Sequence, residues 1–121
     1  MAALIDGKLS DEPIATTEKN GEFKRASSSF RDFVKPQDAE PGRFHLYVSY
    51  ACPWAHRTII TRKLKKLDKV ISMSVTNAYM GEKGWSFGTP HDLEYLADVY
   101  RSADSKYTGK VTVPVLWDNR K

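Results

Sequence analysis

The sequence predicts an α/β fold, and three observations carry the prediction. Phe44, Leu46 and Val48 alternate with His45 and Tyr47, all large enough to be buried, as in a central strand covered on both faces. Pro53 then opens a run in which Ile60, Leu64 and Leu67 recur at i, i+4 and i+7 among charged residues, the pattern of an amphipathic helix ending near Leu67-Asp68. Beyond it Val70 to Thr76 alternates again, with Ile71, Met73 and Val75 set against Ser72, Ser74 and Thr76. A strand, helix, strand unit of this kind places its two strands parallel through a right-handed crossover.

The flanking segments follow in order. Residues 1–42 are mostly polar, punctuated by Pro13, Gly21, Pro36, Pro41 and Gly42, and read as an irregular extension whose Phe23, Phe30 and Phe33 could drape onto a neighbouring surface. Residues 43–121 form the domain proper. After the second strand a loop from Asn77 to about Pro90 carries Gly81, Gly84, Gly88, Trp85 and Phe87. Leu93, Leu96, Ala97 and Tyr100 give a second helical stripe, and Val111, Val113, Val115 and Trp117 a third strand. Pro114 interrupts that strand. A proline cannot donate to a sheet ladder, so it implies an edge, a strand start or a cis turn, and it leaves the Val113 N–H and C=O free for something extended.

Composition narrows the function classes. At 121 residues and 40% hydrophobic, the chain has room for one modest core. His45, His56 and His91 show no metal-ligand spacing, and one cysteine cannot build a multi-cysteine metal site. A lone thiol also fits a reducing compartment, and with neither a membrane-length apolar run nor a targeting pattern the cytoplasm is the expected location. The net charge of +4 is local. Residues 57 to 69 hold six basic residues against Asp68, a balance of +5, so the remainder sums to −1. Basic residues towards a helix C-terminus favour its dipole, and no aromatic lies among them to stack on bases, so neither nucleic acid nor membrane is expected as a partner.

Cys52 is the candidate for chemistry. It stands where the first strand yields to the helix, and a helix start gathers unpaired N–H groups and the positive end of the dipole, an environment that favours thiolate. Three residues on, where a dithiol oxidoreductase carries its resolving cysteine, the residue is Ala55. The bland reading, a buried small hydrophobe, is disfavoured by that position. His56 and Arg57 read as packing or solvent-facing residues.

Three spaced blocks carry a family resemblance: Tyr50-Ala51-Cys52-Pro53-Trp54-Ala55-His56-Arg57, Gly84-Trp85-Ser86-Phe87, and Val111-Thr112-Val113-Pro114-Val115-Leu116-Trp117-Asp118. The order resembles the thioredoxin-like N-terminal domain of glutathione transferases. More narrowly it looks like the glutathionyl-hydroquinone reductases, the omega-like Xi class, whose N-terminal extension Gly21-Glu22-Phe23-Lys24-Arg25 and Ser29-Phe30-Arg31 also resemble. The resemblance implies glutathione as co-substrate, no metal, Cys52 as nucleophile and external resolution of a Cys52-glutathione disulfide. It also implies Trp85 packing against glutathione, Pro114 as a cis-proline, and a glutathione-binding stretch of Val111, Thr112 and Val113, with Val113 pairing with the tripeptide. Lys110 stands where the family commonly has arginine, keeping the charge for a carboxylate but losing the bidentate fork.

The family continues with a fourth strand, a Glu-Ser pair and a helical domain carrying an aromatic proton donor. The chain is therefore expected to be a fragment truncated after the third strand, inactive as given, of a protein that forms homodimers. Against the enzyme stands a non-catalytic thioredoxin-like binding module. The intact thiol at the helix start favours the enzyme.

Overall fold

The computed structural model describes residues 3–10, 29–78, 80–81, 83–87 and 94–120. Expectations that fall on Phe23, the 21–25 block, Gly88, Pro90, His91 and Leu93 lie outside the described residues. The described chain forms two three-stranded sheets and two α-helices.

One sheet holds the strand, helix, strand unit. Its order is β4-β3-β6, with β3 (Phe44–Val48) central, β4 (Ser72–Val75) parallel to it and β6 (Val115–Asp118) antiparallel. Helix α1 (Pro53–Leu64) makes the crossover between β3 and β4. Phe44, Leu46 and Val48 are buried on one face of β3, and His45 and Tyr47 are half-buried on the other. The register sets His45 opposite Ser72 and Tyr47 opposite Ser74. Both imidazole nitrogens of His45 are thereby hydrogen-bonded, Nδ1 to Ser72 Oγ (2.5 Å) and Nε2 to Ser74 Oγ (2.7 Å). The polar residues of that face satisfy one another, which makes their partial burial tolerable.

The second sheet, β2-β1-β5, amends the irregular reading of residues 1–42. β1 (Ala3–Ile5) and β2 (Lys8–Ser10) form an antiparallel hairpin, and β1 also pairs with β5 (Gly109–Lys110). Asp6 (φ 51°) and Gly7 (φ 79°) make its two-residue turn, with positive φ at both central positions as a type I′ turn demands. The turn lies close against the loop before β5: the Gly7 N–H donates to Tyr107 O (2.9 Å) and the Asp6 N–H to Thr108 Oγ1 (2.8 Å). Leu4 is 0% exposed and belongs to the same core as Leu46, Val48, Ala55, Leu96, Val99 and Val111.

Three further details depart from the sequence expectation. Helix α1 does not bury Ile60 and Leu64, which are 43% and 76% exposed; Ala55 is buried and Ile59 packs against the core instead. The buried stripe is rotated by one residue, and Arg62 lies on it, half-buried, donating from Nε to Ile71 O (2.7 Å) and from Nη2 to Asp68 O (3.0 Å). Leu67 falls beyond the last helical residue. The expected third strand is split, because Gly109–Lys110 pair with the hairpin, Val111–Pro114 belong to no strand, and β6 starts at Val115.

Helix α2 (Leu96–Ala103) buries Leu96, Ala97 and Val99, and the Asp98 carboxylate accepts the Tyr95 N–H (3.1 Å) at its start. At the opposite end of the central sheet a guanidinium fork fixes the strand termini. Arg43 donates from Nε and Nη2 to the two oxygens of Asp118 (2.8 and 2.9 Å) and from Nη1 to Asp38 (3.3 Å). The Asp118 hydrogen bonds, reinforced by the charges of Asp118, Asp38 and Glu40, push the Arg43 pKa up.

Candidate active site

The site forms where β3 ends. Ser49 is fully buried; its hydroxyl accepts the Ala51 N–H (3.2 Å) and its C=O accepts the Cys52 N–H (3.2 Å), so the chain turns sharply before the helix. Cys52 is the N-cap of α1, with extended backbone angles (φ −101°, ψ 118°) and Pro53 following at the first helical position. Its C=O accepts the first helical bond from the His56 N–H (3.1 Å). Its side chain makes no capping hydrogen bond. The half-buried sulfur lies 3.8 Å from Val113 O, and the thiol donates to that carbonyl. Sulfur and backbone therefore face one another across the start of the helix.

Val113 is buried, and the Val113–Pro114 peptide bond is cis. Val111 is also buried, Thr112 half-buried between them. The Thr112 main chain is held by a side chain rather than by a strand: its N–H donates to Tyr100 Oη (3.3 Å), and the Tyr100 hydroxyl donates to its C=O (2.7 Å). Lys110 is half-buried in β5, opposite Ala3, and its C=O accepts the Tyr107 hydroxyl (2.9 Å). Burial pushes the Tyr107 phenol pKa up, with the nearby Tyr100 adding to the shift.

Trp85 lies on the segment that returns from β4 towards α2. The Asn77 N–H donates to Ser86 O (2.8 Å), Thr76 bridges to Phe87 and Ser86 to Tyr95, and Trp85 O accepts the Leu96 N–H (2.9 Å). Its side chain is half-buried and packs against the core. His56 is exposed, and Arg57 is exposed with its guanidinium 5.3 Å from the Trp54 ring. The structure thus brings Cys52 and Val113 together, with Thr112 and Pro114 as Val113's chain neighbours, and sets Lys110 in the strand tied to the hairpin. Tyr100 was missed by sequence reasoning, which took it only as part of a helical stripe.

Among the described residues no group of three His, Cys, Asp or Glu side chains could hold a metal ion. No helix among them is long and apolar enough to cross a membrane.

A parallel strand, helix, strand unit with a thiol at the helix start, facing the carbonyl that precedes a cis-proline, defines a thioredoxin-like domain. The family model "Glutathione S-transferase, N-terminal domain" matches residues 51–121, and the chain belongs to that family. It is 46% identical over 127 residues to glutathionyl-hydroquinone reductase PcpF of Sphingobium chlorophenolicum, covering 98% of this chain and 41% of that protein. It is 44% identical over 140 residues to glutathionyl-hydroquinone reductase YqjG of Escherichia coli K12, covering 99% and 43%. Among solved structures, a Xi class transferase from Natrialba magadii superposes with a TM-score of 0.83 at 43% identity over 98% of this chain and 41% of that one. The glutathione-bound YqjG of E. coli K-12 gives 0.71 at 43% identity, over 97% and 39%. The chain spans about two fifths of the length of the curated relatives it matches.

Proposed function

We propose that this chain is the glutathione-binding part of an enzyme that reduces glutathionyl-hydroquinones at the expense of glutathione. The observation that carries the reading is the uncapped Cys52 sulfur at the start of α1, 3.8 Å from the carbonyl beside the cis-proline. The names of the relatives support the substrate class.

The reaction consists of two thiol exchanges. The Cys52 thiolate attacks the glutathione sulfur of the conjugate. The carbon–sulfur bond to the ring breaks, the ring carbon takes a proton, and the hydroquinone leaves as a Cys52–glutathione disulfide forms. A second glutathione, as thiolate, attacks the glutathione sulfur of that disulfide, releasing oxidised glutathione and the Cys52 thiolate. One conjugate and one glutathione become one hydroquinone and one oxidised glutathione. With Ala55 in the resolving position and Cys52 the one cysteine of these 121 residues, the second thiol comes from outside this chain.

Val113 pairs with the tripeptide backbone, with Val111 and Thr112 shaping the loop and Pro114 fixing it. Trp85 offers its free face to the ligand, and Lys110 supplies a positive charge for a glutathione carboxylate. Residues 43–121 act as the glutathione-binding unit, and residues 1–42 as an extension whose β1–β2 hairpin completes that unit's core through Leu4. The complete enzyme works in the cytoplasm as a homodimer, without nucleic acid or membrane partners. The 121-residue chain alone forms the disulfide but turns over little conjugate.

Incubation with oxidised glutathione, followed by intact mass, tests the reading. One glutathione adduct should form near neutral pH and disappear in Cys52→Ser. No adduct on the wild type, or an equal adduct on the variant, would overturn it.

A further inference from the structure

We infer that Tyr100 is a positioning residue for glutathione, acting through the backbone of Thr112 on Val113; the inference rests on the proposed role of Val113 in pairing with the tripeptide. The segment 111–114 lies between β5 and β6 and belongs to neither. Its conformation is therefore not set by a sheet ladder. The Tyr100 hydroxyl takes the place of a neighbouring strand, accepting the Thr112 N–H (3.3 Å) and donating to the Thr112 C=O (2.7 Å). One atom satisfies both main-chain groups of the residue before Val113.

The hydroxyl can do this because its ring is fixed from several sides. Tyr100 extends from α2, which is anchored by the buried Leu96, Ala97 and Val99. Its ring packs against Tyr107, with centroids 4.9 Å apart, and against Phe30 of the N-terminal segment at 6.0 Å. Phe30 also stacks on Tyr107, at 5.5 Å and 11° between ring planes. On the far side of Thr112, the Val113 carbonyl faces the Cys52 thiol. The connection runs from the aromatic cluster through one hydroxyl to Thr112, and through Val113 to the sulfur. Removing the hydroxyl leaves two main-chain groups of a half-buried residue without their partner and frees the loop to move.

The consequence is selective. A disulfide that carries the tripeptide backbone needs Val113 in place, whereas a small disulfide needs only an accessible thiolate at Cys52. The experiment compares the rates at which Cys52 forms a mixed disulfide with oxidised glutathione and with 2-hydroxyethyl disulfide, in the wild type and in Tyr100→Phe, which keeps the ring. In each case the Cys52 thiolate attacks one sulfur of the disulfide and the other leaves as a thiolate. In the variant the glutathione rate should fall on the order of tenfold, while the hydroxyethyl rate stays within about twofold. Amide hydrogen exchange supplies the second measurement: the Thr112 N–H, which the hydroxyl accepts, should exchange faster in the variant, with the β3 amides as protected as before.

A wild type that reacts with both disulfides at matched rates would overturn the glutathione-pairing role of Val113 and, with it, this inference. A wild-type preference that survives in Tyr100→Phe would overturn the Tyr100 assignment alone. If the variant also loses protection in β3, the hydroxyl serves the fold as a whole, and the positioning role is overturned as well.

Discussion

Replacing Gly7 with alanine should destabilise the domain by about 2–5 kcal/mol, far more than a turn residue on an exposed hairpin would suggest. An alanine at φ 79° accounts for about 1–2 kcal/mol through its left-handed backbone. The rest comes from contact: a Cβ at this position would lie 1.8 Å from Ser105 O, where real Cβ atoms essentially never approach closer than 3.0 Å, so the turn would have to retreat by at least 3.0 − 1.8 = 1.2 Å. A retreat of that size stretches the bonds from Gly7 N to Tyr107 O and from Asp6 N to Thr108 Oγ1 beyond useful length. Each of those contributes roughly 0.5–1.5 kcal/mol. Gly42 provides the control, since it has φ 81° but nothing within 4 Å of its would-be Cβ. Gly42→Ala should therefore show the backbone cost of about 1–2 kcal/mol alone. Urea unfolding of both variants, followed by tryptophan fluorescence, measures the difference. Equal costs would mean that the hairpin does not press on the loop before β5, and the reasoning would fail.

Leu4→Ala should cost about 2–5 kcal/mol, as expected for truncating a fully buried leucine, and a loss below 1 kcal/mol in the same urea titration would show that the hairpin is not part of the core. Tyr107 makes stability fall at alkaline pH. Its pKa is raised in the folded state, so the unfolded chain loses the proton first, near about pH 10; the contribution is complete below that value and is lost as the pH rises through the folded pKa. Urea midpoints between pH 8 and 11.5 should therefore decline more steeply for the wild type than for Tyr107→Phe, and parallel declines would exclude this origin.

What the sequence made legible were the elements whose pattern is local. Phe44 to Val48 alternate strictly, and Pro53 marks the first helical residue, so the β3, α1, β4 unit and the place of Cys52 could be read directly. The face of α1 could not. Ile59 and Ile60 are adjacent, so two stripes one residue apart are both available, and the more apolar one, through Leu64 and Leu67, is the one that faces outward or falls beyond the helix. The chosen stripe contains Arg62, whose guanidinium is satisfied by two carbonyls after the helix, a compensation that periodicity cannot register. The hairpin did leave a signal. Asp6-Gly7 between Leu4-Ile5 and Leu9 is the dipeptide that a type I′ turn favours, but strands of three residues are too short for alternation to announce them. Tyr100 illustrates a different limit, because its hydroxyl acts on a backbone twelve residues away, which only the folded chain reveals.

The pairing of β1 with β5 also bears on the order in which the protein is made. Asp6 and Thr108, hydrogen-bonded partners, are 102 residues apart. On a ribosome adding roughly 5–20 residues per second, the first strand waits about 5–20 seconds for its neighbour to be synthesised. Throughout that interval β1 has only β2 beside it, a state in which an uncovered apolar strand is open to chaperones or to other nascent chains. The central sheet faces a shorter delay for its first half, since β3 and β4 follow one another closely, and a longer one for β6. The partner of β1, β5, thus emerges just before β6, so both sheets are completed only as the last strands of this segment are made.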